Sequence, residues 1–173
     1  MNRLIFSGLT IFALFSLMAC AGAKISKPKH LPPLPEKINM IALAPSGGVL
    51  ADAIGIELFG SGFKVIDSQE TSNNMIRLNL NEIELFQPAS LNKLRELGIN
   101  AVLSVKSVSG YDNKPQSATV RVMSTKSFEI IAAVSWQNGR GGAQGSMADR
   151  SMRKDVVAAS RQIAKALFEQ LSR

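Results

Sequence analysis

The sequence predicts one α/β domain: a mixed sheet with parallel first strands and an antiparallel C-terminal hairpin, helices packed on the sheet. Three observations predict it. Short apolar runs alternate with helix-period segments through the first part of the chain, as in strands joined through helices and therefore paired in parallel. Two runs near the C-terminus, Ala118 to Met123 and Phe128 to Gln137, are separated only by Ser124-Thr125-Lys126-Ser127, the spacing of hairpin strands. The chain then closes on a long amphipathic helix. A length of 173 residues fits a single domain.

The N-terminus comes first. Arg3 gives a short positive start, and Leu4 to Met18 is apolar apart from Ser7, Gly8, Thr10 and Ser16. This run is shorter than the ~20 apolar residues of a transmembrane helix and fits the apolar region of a secretory signal. Leu17-Met18-Ala19-Cys20, followed by Ala21-Gly22, resembles the lipobox of bacterial lipoproteins. The resemblance implies export, cleavage before Cys20, and a covalent diacylglycerol and acyl chain on Cys20. Cys20 is the only cysteine, so it has no disulfide partner within the chain. Lipidation accounts for such a lone exported thiol; the other reading is an ordinary signal peptide with an unrelated cysteine. Ala21, rather than Asp, resembles lipoproteins sorted to the outer membrane with the domain facing the periplasm. The inner membrane and the surface-exposed leaflet stay open.

Residues 1–19 are therefore read as the signal, 20–37 as a lipidated tether and 38–173 as the folded domain. In the tether, Lys24, Lys27, Lys29 and His30 precede Leu31-Pro32-Pro33-Leu34-Pro35. Prolines remove backbone donors and favour an extended path, which makes a semi-rigid spacer. Its lysines either meet anionic headgroups, at roughly 1 kcal/mol each, or are simply solvated.

Ile38 to Ala44 reads as a buried strand closed by the turn Pro45-Ser46-Gly47-Gly48. Val49, Leu50, Ala53, Ile54 and Leu58 follow at helical spacing, and Gly60-Ser61-Gly62 stops that helix. Phe63 to Asp67 is a second strand and Glu70 to Leu78 a helix. Pro88-Ala89-Ser90 starts another helix with Ser90 as N-cap, Leu91, Leu94 and Leu97 as its apolar stripe, and Gly98 at the C′ position. Ala101 to Val108 is the third strand, and Gly110 to Pro115 turns into the hairpin. Gly139 to Gly145 is a glycine-rich loop. One last helix is expected from Asp149 to Leu171, with Met152, Val156, Ala159, Ile163, Ala166, Leu167, Gln170 and Leu171 buried and Arg153, Lys154, Arg161 and Lys165 facing out.

Four segments in this order resemble the CsgG/PelC/TolB-N-terminal-like group of envelope proteins. They are I-N-M-I-A-L-A-P (Ile38 to Pro45), F-K-V-I-D (Phe63 to Asp67), L-N-K-L-R-E-L-G-I-N-A-V-L-S-V (Leu91 to Val105) and V-R-V-M-S-T-K-S-F-E-I-I (Val120 to Ile131). Ile99-Asn100 stands where Ala-Asp is common in the group, and Ser127 replaces the usual turn glycine. The resemblance implies a non-catalytic lipoprotein, a subunit or accessory of an export or surface-structure assembly, with ring-forming members. Its alternative implication is an LpoB-like regulator docking on a peptidoglycan synthase. A membrane-spanning strand needs about 9–11 alternating residues. Only the Ala118 to Trp136 hairpin is long enough, and it is needed in the sheet, so the chain is similar to the small PelC-like or LpoB-like domains rather than to a complete pore.

No catalytic motif emerges. Pro45-Ser46-Gly47-Gly48 follows a strand and opens a helix but carries neither a Walker lysine nor G-x-G-x-x-G spacing; it is either an anion-binding helix start or a plain turn. Ser46 lies outside any G-x-S-x-G elbow. His30 is the only histidine, so a Ser-His-acid triad would have to recruit the tether. One cysteine and one histidine leave no zinc ligand set. No catalytic residue, metal site or cofactor is therefore expected beyond the lipid on Cys20. Asp52, Glu57, Asp67, Glu70, Glu82 and Glu84 are paired by no spacing suited to acid/base work.

Three features are candidate interaction surfaces. The loop around Gly139, Arg140 and Gly141 offers mobility or close approach, or is a connector. Tyr111 and Trp136, the only tyrosine and tryptophan, bind a partner or pack the core. The basic outer face of the last helix, with Arg153, Arg161 and Lys165, meets anions or is solvated. Twenty basic against 13 acidic residues favour anionic surroundings such as lipid headgroups, lipopolysaccharide or cell-wall polymer, and export argues against nucleic acid. The expected partners are the membrane through the lipid anchor, other envelope proteins, and further copies of this chain.

Overall fold

The computed structural model describes residues 20–173, so the expected signal, residues 1–19, lies outside the described residues. Cys20–Ala21 (β1) and Lys24–Ser26 (β2) come first. Met40–Leu43 (β3) leads through a 3-10 turn, Pro45–Gly47, into the helix Gly48–Gly60 (α1). Lys64–Ile66 (β4), Ser68–Arg77 (α2) and Pro88–Glu96 (α3) follow. Ala101–Ser109 (β5), Pro115–Ser124 (β6), Ile130–Gln137 (β7) and Arg140–Gly141 (β8) precede Met147–Met152 (α4) and Val156–Leu171 (α5).

Six strands form one sheet in the order β2-β7-β6-β5-β3-β4. β3 runs parallel to β4 and to β5, and β5, β6, β7 and β2 are successively antiparallel. This is the mixed sheet with parallel first strands and a C-terminal hairpin that the sequence predicts. β1 and β8 make a separate two-stranded antiparallel ladder.

One face of the sheet carries α1 and α5. Their Leu50, Ile54, Leu58, Ile163 and Leu167 are buried with Ile41, Leu43, Leu103, Val120, Val122, Val134 and Trp136. The other face carries a second core, in which Met75 of α2, Leu85, Leu91 and Leu94 of α3, and Ile99 pack on Ala42, Ala44 and Val102. That second layer covers only the parallel half. Over β6, β7 and β2 the outward positions Thr119, Arg121, Ser135, Gln137 and Lys24 are exposed, at the period of two expected of a half-solvated antiparallel sheet.

Local chemistry sets the element ends. Asp67 caps α2 by accepting the Glu70 N–H. Gly98, at φ +83, closes α3, because a Cβ is strained in that left-handed conformation. The start of α3 is corrected: Pro88 occupies the first turn after Gln87, and Ser90 is a buried residue within the helix rather than its cap. Proline lacks only an N–H that would be unpaired there anyway. In the β6–β7 turn, Phe128 takes the positive φ of 60, while the Ser124 hydroxyl accepts the N–H groups of Lys126 and Ser127.

Two expectations are overturned. The tether is not a free spacer, because Lys24–Ser26 joins the sheet as an edge strand with Ile25 opposite Trp136. The alternation Lys-Ile-Ser puts one apolar side chain against the core, and Ile25 packs there with Ala23 and Leu34. The proline segment is tied down as well: the Arg173 guanidinium donates to the Pro32 carbonyl at 2.8 Å and the Lys126 ammonium to that of Pro35 at 3.0 Å. The last helix is also broken. Arg153 is extended (φ −77, ψ 125), and Asp155 caps α5 by accepting the Ala158 N–H. Ser146 and Asp155 are each good N-caps, and two caps nine residues apart make two helices.

Candidate functional site

The structure gathers most of the expected interaction residues at one corner. Cys20 pairs in register with Gly141, and Ala21 with Arg140. The backbone at Cys20 is thus joined to the glycine-rich segment, which is a strand at Arg140–Gly141. Gly141 is buried, and the reason for glycine is close approach. A Cβ at this position would lie 2.6 Å from the Ala148 carbonyl carbon and 3.0 Å from the Asp149 nitrogen, both backbone atoms of α4. Gly141→Ala is therefore expected to lower stability by about 1–3 kcal/mol through overpacking, read as a lower urea midpoint. Gly22→Ala is the matched control, since a Cβ there meets nothing within 4 Å.

Asp149 sits beneath this ladder. Its carboxylate accepts from the Tyr111 hydroxyl at 2.8 Å, the Gly145 N–H at 3.1 Å and the Gly141 N–H at 3.5 Å. The Gly145 amide and then the Tyr111 hydroxyl hold its carboxyl below the ordinary range, against the opposing effect of burial. The same bond to Asp149, together with burial, pushes the Tyr111 phenol up. Asn138 pins the neighbouring backbone. Its amide donates to the carbonyls of Pro115 and Lys154, and its oxygen accepts the N–H groups of Gly139 and Lys154.

Arg153 is corrected from an outward-facing residue of the last helix to a buried member of this corner. Its Nε and Nη2 donate to the two carboxylate oxygens of Asp112, each at 3.0 Å. Its guanidinium lies 5.1 Å from the centre of the Tyr111 ring, within cation–π range. Burial pushes the Asp112 carboxyl up, but the Lys114 N–H and the Arg153 guanidinium outweigh it and leave the group below its usual value. The break between α4 and α5 is what turns Arg153 inward.

The other two basic residues stay outside. Arg161 is exposed and reaches Glu57 of α1 at 3.2 Å, and Lys165 is exposed on α5. With Arg153 removed from it, the expected basic helix face is not a cluster. Trp136 belongs to the core, with its indole N–H donating to the Gln162 amide oxygen at 2.9 Å. Ser46 is exposed on the 3-10 turn.

A surface missed by the sequence reading lies on α1. Leu50, Ala51, Ile54, Gly55 and Leu58 face the core, yet Val49, Ile56 and Phe59 are also apolar and are 74%, 71% and 68% exposed. With Asp52 they follow one another at steps of three and four, a single outward stripe. Beside it is a groove of about 310 Å³ lined by Leu43, Asp52, Gly55, Ile56, Phe59, Val65 and Asp67. The groove adjoins β4, an edge strand of the sheet. The signal was available in the sequence as a helix apolar on both faces, which is the composition of a helix covered on both sides.

Among the described residues no helix is long and apolar enough to cross a membrane. No protein-family model and no curated protein matches the chain. Among solved structures it is similar to the PelC dodecamer from Paraburkholderia phytofirmans at 12% identity, with a TM-score of 0.48 over 84% of this chain and 97% of that one. It is similar to lipoprotein GNA1162 from Neisseria meningitidis at 18% identity, with a TM-score of 0.47 over 74% and 98% of the two chains. The LpoB C-terminal domain from Salmonella enterica matches at 18% identity, with a TM-score of 0.42 over 61% and 84%.

Proposed function

We propose that this protein is a non-catalytic lipoprotein of the cell envelope, held to the outer membrane through lipid on Cys20 and facing the periplasm. In this reading it serves an export or surface-structure assembly as a subunit that contacts further copies of itself. The lipobox-like Leu17-Met18-Ala19-Cys20 supports the anchor. The observation that carries the assembly role is the outward stripe of Val49, Ile56 and Phe59 beside β4. Covering one such side chain is worth about 1.5–3 kcal/mol. Three of them approach the cost of association, about 4–15 kcal/mol, before the facing surface adds its share. The free N–H and C=O groups of an edge strand add hydrogen-bonding capacity to the same surface.

The open polar face of β6, β7 and β2 favours a second reading, an adaptor that docks flat on another envelope protein such as a peptidoglycan synthase. Light scattering of the lipidated protein in mild detergent, over a concentration series, separates the two. A discrete oligomer is expected, reduced to monomer by Ile56→Glu with Phe59→Glu while the melting temperature is kept. A wild-type chain that stays monomeric throughout overturns self-assembly in favour of the adaptor.

A further inference from the structure

Building on the lipidation reading above, we infer that the cleft beside Cys20 is a binding site for the phosphate headgroup of an anionic phospholipid in the membrane that holds the anchor. The first observation is the absence of a spacer. Only Gly22 and Ala23 separate β1 from β2, and β1 and β2 are each hydrogen-bonded into the domain. Ala21 and Lys24 are three residue steps apart, a reach of at most about 11 Å, so acyl chains on Cys20 enter the bilayer directly beside the folded body. The surface around β1 therefore lies at headgroup level.

The second observation is what that surface contains. A cleft of about 430 Å³ is lined by Gly22, Lys24, Gln116, Ser117, Gln137, Asn138, Gly139, Arg140 and Arg153, with no carboxylate among them. Gly22 and Lys24 put it within four residues of the anchor. Lys24 and Arg140 are exposed; Arg140 stands on β8, which pairs with the anchor strand, and Lys24 opens β2, the next strand in the chain. Arg153 supplies the inner wall. Asp112 takes its Nε and Nη2 and fixes the plane of the guanidinium, and the charge of that pair is balanced. The uncompensated charge of the cleft thus belongs to Lys24 and Arg140. A guanidinium fork matches phosphate oxygens, an ammonium adds a point charge, and the amides of Gln116 and Gln137 are of the type that donates to glycerol and phosphate oxygens.

The test uses the lipidated protein reconstituted into vesicles of phosphatidylcholine alone or of phosphatidylcholine with phosphatidylglycerol. Lysines are modified with a membrane-impermeant acylating reagent and quantified by mass spectrometry, with Lys165 on α5 as reference for the general surface potential. In anionic vesicles the rate at Lys24 is expected to fall by about 5-fold relative to Lys165, the share of one headgroup contact. Arg140→Gln is expected to return that ratio to its value in neutral vesicles. Equal rates at Lys24 in the two vesicles, or equal protection in neutral vesicles given inorganic phosphate, overturns the headgroup site. The intact mass of the same sample reports the acyl chains on Cys20. Their absence sinks the anchoring reading and this inference with it, whereas a lipidated protein with unprotected Lys24 sinks this inference alone.

Discussion

On the anchoring proposed above, Cys20→Ala is expected to move this protein out of the membrane fraction and to remove every lipid adduct from its intact mass. Each buried methylene contributes roughly 0.8 kcal/mol, so that one acyl chain binds only marginally while two or more anchor stably. No described helix crosses a membrane, and surface cations contribute only about 1 kcal/mol each. The substitution acts on location and not on the fold, because both hydrophobic cores are made by residues 23 and beyond. Fractionation with quantitative blotting reads the first effect, and mass spectrometry of the purified protein the second. A wild-type protein without lipid mass, distributed as the variant is, would refute the anchor.

Asp112→Ala is expected to be the most damaging single change at the corner, at about 3 kcal/mol. The Arg153 side chain is 6% exposed and that of Asp112 17%, so removing the carboxylate leaves a guanidinium short of water and without its charge partner. Breaking such a pair from one side costs about 3–5 kcal/mol, and the partial exposure of Asp112 argues for the low end. Arg161→Ala is the informative contrast. Its side chain is 68% exposed on the Glu57 pair, where ion pairs are worth about 0–1 kcal/mol. The ion pairs of two arginines that the sequence placed on one helix face, Arg153 with Asp112 and Arg161 with Glu57, should therefore differ several-fold in the cost of breaking them. Urea denaturation of the two variants measures this, and equal midpoints would overturn the burial argument.

Acid should loosen the same corner. Asp112 and Asp149 both titrate below the ordinary carboxyl value in the folded protein. The unfolded chain therefore binds more protons between the two values, and stability falls as pH falls. The contribution is complete above the unfolded value, at about pH 4, and is lost as pH drops through the folded values beneath it. The urea midpoint is expected to decrease from pH 7 to pH 3, and to decrease less in Asp149→Asn. An Asp149→Asn protein with the full pH dependence would remove Asp149 from the account.

Much of the fold was readable because its determinants are local. The apolar runs of β3 and β5, the Gly98 stop of α3 and the β6–β7 hairpin each declare themselves within a few residues, through side-chain period, positive φ and turn length. The same holds for the lipobox-like segment at Cys20. Errors fell where two local signals compete or where the partner is remote. Pro88 displaced Ser90 at the start of α3 because a proline suits the first helical position. The proline-rich composition around residues 28–35 masked Ile25, whose strand pairs with the distant β7 and sets it opposite Trp136.

The site divides in the same way. The sequence by itself determined the candidate anchor residue, the mixed α/β sheet and the absence of a recognisable catalytic motif, since each is written in residue type and short-range spacing. Only the tertiary structure decided that Cys20 pairs with Gly141, that Arg153 turns inward to Asp112, and that Val49, Ile56 and Phe59 face outward while Leu50, Ala51, Ile54, Gly55 and Leu58 of the same helix are buried. These are long-range outcomes. A helix apolar all round carries no mark of which side meets the sheet, and an arginine carries no mark of its carboxylate until chain closure sets the two side by side.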